Sequence, residues 1–228
     1  MAIVIRDNGS KWQKATKVEF AAEAQLQKLL YDSPELIPTY DEDTPAVFVK
    51  EAGLPGGGAT DLLGVDGNGN ILLVETKLAR NDEVRRKVIG QVLEYAAYLW
   101  KMTFEDFDKL FVSREGTPVL DLLEATVADI DREEVRHAIA NNLSSGSFRL
   151  FIAVDRMNEE LEKIISYVSS RGSGLRLEVL EFDLHQSGQM EILVPRRYGH
   201  NGTPPPTRPV KRIDEIMVAI AGSRRMRM

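Results

Sequence analysis

Apolar residues recur along the chain at two spacings, and each spacing predicts a kind of element. Within 17–31, Phe20, Leu26, Leu29 and Leu30 fall near one face of a helical repeat. That helix should stop near Ser33, because a residue before proline avoids the helical region. A short strand is expected at 47–50, followed by a glycine-rich connection at 53–60. Two mostly apolar runs, 61–65 and 71–78, flank the turn sequence Asp66-Gly67-Asn68-Gly69, which reads as a β-hairpin. Val84, Val88, Val92, Tyr95 and Leu99 then repeat at helical spacing across 82–100. Helices follow at 103–115 and 118–128, with a break at Pro118. Asp131 with Glu134 forms a capping box that starts a helix running to about Asn142. A strand is expected at 148–155 and an amphipathic helix at 158–170, closed by Gly172 and Gly174. A second strand pair occupies 175–184 and 190–198.

This order of helix, three strands, helix, strand, helix and strand implies an α/β fold with helices packed on a sheet. The organisation expected is a body at 1–198, a Pro/Gly-rich basic linker at 199–212, and a short helix or the start of a further segment at 213–228.

Composition narrows the chemistry. Hydrophobic residues make up 43% and charged residues 28%, as in an ordinary globular protein with a sizeable core. The absence of cysteine excludes disulfides, zinc–thiolate centres and thiol nucleophiles. The first residues lack an apolar run long enough for a signal peptide, and no stretch is long and apolar enough to span a bilayer. The default location is therefore the cytoplasm, with no membrane partner. The net charge of −6 argues against a nucleic-acid binder at first sight, but residues 196–228 carry eight Lys/Arg against two Asp/Glu. A basic tail on an acidic body fits a phosphate-binding arm, and equally a solubilising tail.

The segment Ile71–Leu78 has the apolar density of a central strand buried on both faces, yet it contains Glu75 and Lys77. Burying charge costs several kcal/mol per group (order of magnitude) unless it is paired or binds an ion. Alternation along a strand puts Glu75 and Lys77 on one face. If the turn is centred on Asn68, Asp61 lies opposite Glu75, with β-carbons roughly 5 Å apart. A slip of one residue would send Asp61 to the other face. Two opposed carboxylates call for a positive neighbour, and Mg²⁺ or Mn²⁺ suits a site of one or two carboxylates, waters and phosphate oxygens. Such an ion supports phosphodiester hydrolysis, with Lys77 orienting the attacking water or stabilising the phosphorus centre.

Asp61, thirteen intervening residues and then Glu75-Thr76-Lys77 resembles the PD-(D/E)XK nuclease signature, with Thr60 where a proline usually stands. The run EAQLQKLLYDSPELI from Glu23 resembles the first core helix of the branch containing RecB-like and mismatch-cleaving endonuclease domains. Gln91 and Tyr95 resemble that branch's Gln-x-x-x-Tyr motif, and one helical turn separates them. The resemblance covers about 19–100 well and 148–195 only in element order. It implies a restriction-endonuclease-like three-layer α/β/α core with a mixed central sheet. It further implies metal ligation by Asp61, Glu75, Glu23 and the Thr76 carbonyl, support and substrate contact from Gln91 and Tyr95, DNA rather than RNA as partner, and compatibility with a homodimer. Arg80, with Arg85, Arg86 and Lys87, clusters beside the site, and Arg80 is carried forward as a substrate contact, although a solvated helix face explains the cluster equally.

Plainer readings exist for each residue. Asp61 can cap the glycine loop, Glu75 and Lys77 can form an exposed cross-strand ion pair, and Glu23, Gln91 and Tyr95 can be ordinary helix residues. Trp12, Trp100 and Phe104 fit core or interface positions, and His137, His185 and His200 show no ligand spacing. Three functions follow: a metal-dependent nuclease, a non-catalytic nucleic-acid- or protein-binding module on the same scaffold, and a metal-dependent hydrolase of a small phosphorylated substrate. An enclosed pocket would favour the last.

Overall fold

Ile71, Leu72, Leu73 and Val74 expose no surface, and the strand they form is central to the sheet. The computed structural model describes residues 3–6, 9, 11–39, 44–79, 85–170 and 175–199, with Arg85 and Arg86 described by their backbone alone. Seven described strands make one mixed sheet: β3 (Thr16–Val18), β4 (Ala46–Gly53), β5 (Ala59–Asp66), β6 (Ile71–Lys77), β7 (Phe148–Val154), β8 (Arg176–Ser187) and β9 (Met190–Tyr198). A separate two-stranded sheet joins β1 (Val4–Ile5) to β2 (Gln13–Lys14). Strands β4, β5 and β6 form an antiparallel meander, β6, β7 and β8 run parallel, and β9 and β3 return antiparallel on β8.

The helices are α1 (Glu23–Asp32), α2 (Arg85–Leu99), α3 (Phe104–Glu115), α4 (Val119–Thr126), α5 (Arg132–Ser145) and α6 (Glu159–Ser170). Alternation along β5 and β6 divides the core in two. Leu63, Val65, Ile71 and Leu73 pack with side chains of α2 to α6, while Leu62, Leu72 and Val74 pack with Leu26 and Leu30 of α1. Helices therefore cover both sheet faces, and the three-layer α/β/α core with a mixed sheet agrees with the expectation.

The hairpin register also agrees. Leu62 pairs with Val74 and Leu63 with Leu73, which places the turn centre on Asn68. Asp66 closes that turn by accepting the N–H groups of Asn68 and Asn70. Asp131 caps α5 by accepting the N–H groups of Glu133 and Glu134, and Gly146 ends it in the left-handed region that favours glycine.

The largest boundary difference is at the first helix, while β4 and β8 run a few residues longer than expected. The first helix begins at Glu23 rather than at 17, and Thr16–Val18 pairs with Leu184–Gln186 as a strand. β-Branched Thr16 and Val18 suit that place, and Lys17 pairs with the buried Asp183 of β8. Phe20 is buried as the helical reading required, but it lies before the helix. Residues 80–84, Gly172, Gly174, most of the 199–212 linker and the 213–228 segment lie outside the described residues.

Candidate active site

The hairpin of β5 and β6 opens at one end. Paired residues run from Leu62↔Val74 to Val65↔Ile71, although β5 reaches back to Ala59 and β6 onward to Lys77. At the open end the Asp61 side chain takes over from the ladder. Its Oδ2 accepts the Thr76 N–H at 2.7 Å and the Thr76 hydroxyl at 2.6 Å. The Asp61 backbone lies beside the Glu75 carboxylate. The register thus brings Asp61 and Glu75 together as the spacing implied, but across a splayed fork rather than a regular ladder.

Glu75 is 4% exposed, so an exposed ion pair with Lys77 is excluded. Its Oε2 is buried and has no hydrogen-bond partner among the described residues. Burial, and then the neighbouring charge of Asp61, push the Glu75 carboxyl up from 4.5 to about 8. Burial likewise raises Asp61, against the lowering effect of the two Thr76 bonds. An orphaned buried oxygen beside a second carboxylate is an environment that a cation relieves. Two carboxylates with waters suffice for Mg²⁺, so the donor set fits such an ion. Among the described residues no group of three or more His, Asp or Glu side chains is placed to hold a metal ion.

Lys77 points to the same region. Its side chain is 18% exposed and its ammonium donates to Glu23 Oε2 at 3.0 Å, while the Leu78 N–H donates to Glu23 Oε1 at 3.3 Å. Glu23, the first residue of α1, is therefore part of the cluster, with its carboxylate turned to the end of β6. The Thr76 carbonyl lies on the β6 edge that faces β5, because N–H and C=O of a strand residue point the same way.

Tyr95 of α2 is buried; burial, and then the Glu75 charge, raise its phenol above the ordinary value. Gly58 lets the loop before β5 approach this ring, since a β-carbon there would lie 3.4 Å from Tyr95 Cε1 and the backbone has φ +105°. Trp100 is half exposed, and Lys101 stacks on it. Arg80 lies outside the described residues, as do the side chains of Arg85 and Arg86. A cavity of about 120 Å³ lies where β6 and β7 end, lined in part by Phe20, Leu78, Asp155 and Asn158.

Two contacts carried no readable signal in the sequence. The Thr76 hydroxyl on Asp61 and the bond from Gln27 Nε2 to the Asp61 carbonyl at 2.9 Å both depend on how the hairpin splays and where α1 docks.

No protein-family profile matches the chain, and no curated protein matches it. Two solved structures are similar to it at a coarse level. One is described as the crystal structure of a repair endonuclease from Pyrococcus abyssi, at 13% identity and a TM-score of 0.33, covering 79% of this chain and 65% of that one. The other is described as the structure of an EndoMS–dsDNA2 complex, at 14% identity and a TM-score of 0.31, covering 78% and 49%. The chain spans less than two thirds of the length of either. No helix among the described residues is long and apolar enough to cross a membrane.

Proposed function

We propose that the chain hydrolyses phosphodiester bonds in nucleic acid, with Mg²⁺ or Mn²⁺ held by Asp61 and Glu75. The observation that carries this reading is the buried, unpartnered Oε2 of Glu75 beside Asp61 and close to an ammonium group. A cation bound there supplies Lewis acidity toward the phosphate and lowers the pKa of a water. Asp61 is pre-oriented by Thr76, so its second oxygen is set relative to Glu75 before any ion arrives. Lys77, fixed by Glu23, presents a compact positive charge that can hold the attacking water or offset charge on the phosphorus centre. Glu23 and the Thr76 carbonyl are candidate further ligands. Gln91 and Tyr95 border the cluster and support it. DNA is preferred over RNA on the resemblance of the motif alone.

The test is incubation with plasmid and with single-stranded DNA and RNA, in Mg²⁺ or Mn²⁺ against EDTA. Metal-dependent cleavage that falls by about 100-fold or more in Glu75→Gln and Lys77→Ala is expected. Cleavage indifferent to both substitutions overturns the site. The ion pair between Lys77 and Glu23 favours a second reading, a binding module without turnover, because it uses the site's ammonium internally. Retained Mn²⁺ affinity and nucleic-acid binding with no cleavage of any of these substrates would establish that reading instead.

A further inference from the structure

Asp61 is held from two directions. Its Oδ2 accepts two bonds from Thr76, and its carbonyl accepts from Gln27. The two Thr76 bonds come from β6, the neighbouring strand of its own hairpin. The third comes from the opposite layer. Gln27 stands four residues after Glu23 on α1, so the two side chains share a helix face. From that face Glu23 reaches the end of β6 and Gln27 reaches β5, spanning the gap where the strands have left their ladder. Main-chain pairing no longer sets the separation of Asp61 and Glu75 there, so another restraint must.

We infer that Gln27 is a positioning residue that fixes the Asp61 peptide between α1 and β6, and thereby sets the distance between the two carboxylates that would share a cation. This rests on the proposed reading of the site, and it adds a residue that touches neither ion nor substrate. An unbranched amide at this place offers a donor without a charge, so it secures a carbonyl without competing for the cation. Glutamine also favours a helix, which lets α1 carry the contact at no cost to its own stability. Leu26 and Leu30 beside it are fully buried, so α1 is anchored independently of the bond.

Gln27→Met keeps the length and helix propensity and removes the donor; Gln27→Leu is the second variant. Lys28→Met, on an exposed position of the same helix, is the control. Two readouts apply: calorimetric titration with Mn²⁺, and hydrogen exchange of the Thr76 amide by NMR in EDTA-treated protein. Weakening of Mn²⁺ binding by about 10–100-fold is expected in both Gln27 variants, as for other supports of metal ligands. Faster exchange at Thr76, with little change at core amides such as Leu73, should accompany it. Lys28→Met should change neither. Unchanged Mn²⁺ affinity together with unchanged Thr76 exchange overturns the assignment. If the unmodified protein binds no Mn²⁺, the metal reading fails, and the exchange arm still decides whether Gln27 holds Asp61.

Discussion

Replacing Glu75 by glutamine should make the protein more stable in alkaline solution without metal, although it removes the central residue of the site. The folded carboxyl is raised from 4.5 to about 8, so between those values the native protein holds a proton that the unfolded chain has released. Stability must then fall as pH rises through that window. At about 1.4 kcal/mol per pH unit the ceiling is about 5 kcal/mol. Part of the rise comes from the charge of Asp61, which is itself raised, and water entering the fork will relieve more, so a loss of about 2–3 kcal/mol is expected. Urea unfolding in EDTA from about pH 5 to about pH 9 measures this, and the difference between wild type and Glu75→Gln cancels titrations common to both. The wild type should lose about 2–3 kcal/mol more than the variant across that range. Parallel curves would refute the claim that Glu75 sits in a desolvated, anion-repelling place.

Further substitutions examine the scaffold and the cluster. Gly64→Ala should cost about 3 kcal/mol in urea unfolding, because the added β-carbon would lie 2.3 Å from Cε1 of the buried Phe48. Glu178→Leu should cost about 3–5 kcal/mol, since it leaves the buried Arg149 beside Arg197 without their shared carboxylate. Arg149→Met should stay within about 1 kcal/mol of wild type in the same assay, because Glu178 keeps Arg197 and the unpartnered Arg149 Nη1 disappears. Glu23→Gln should slow plasmid cleavage by about 10–100-fold with little change in melting temperature, since it loosens Lys77 while a backbone bond at Leu78 can persist.

What the sequence reveals follows the range of the interactions involved. The central strand, the hairpin register and the α5 cap depend on neighbours close in sequence, and Leu72 to Val74, the Asn68 turn centre and Asp131 were all readable. The convergence of Asp61, Glu75 and Lys77 follows from that register. The strand at Thr16–Val18 was hidden because its partner β8 lies about 170 residues away, and two β-branched residues are too weak a local signal beside the helical repeat that follows. Gln27 and the Thr76 hydroxyl were hidden for the same reason. Each acts through a contact that exists only once α1 has docked and the hairpin has splayed.

A manganese-soaked crystal, examined for anomalous scattering, addresses the site itself. Density between the Asp61 and Glu75 carboxylates, with an oxygen of each within about 2–2.6 Å of the ion, is the expected outcome. An empty fork at saturating Mn²⁺, with Glu75 Oε2 bonded instead to protein or water, would remove the basis for metal-assisted hydrolysis here.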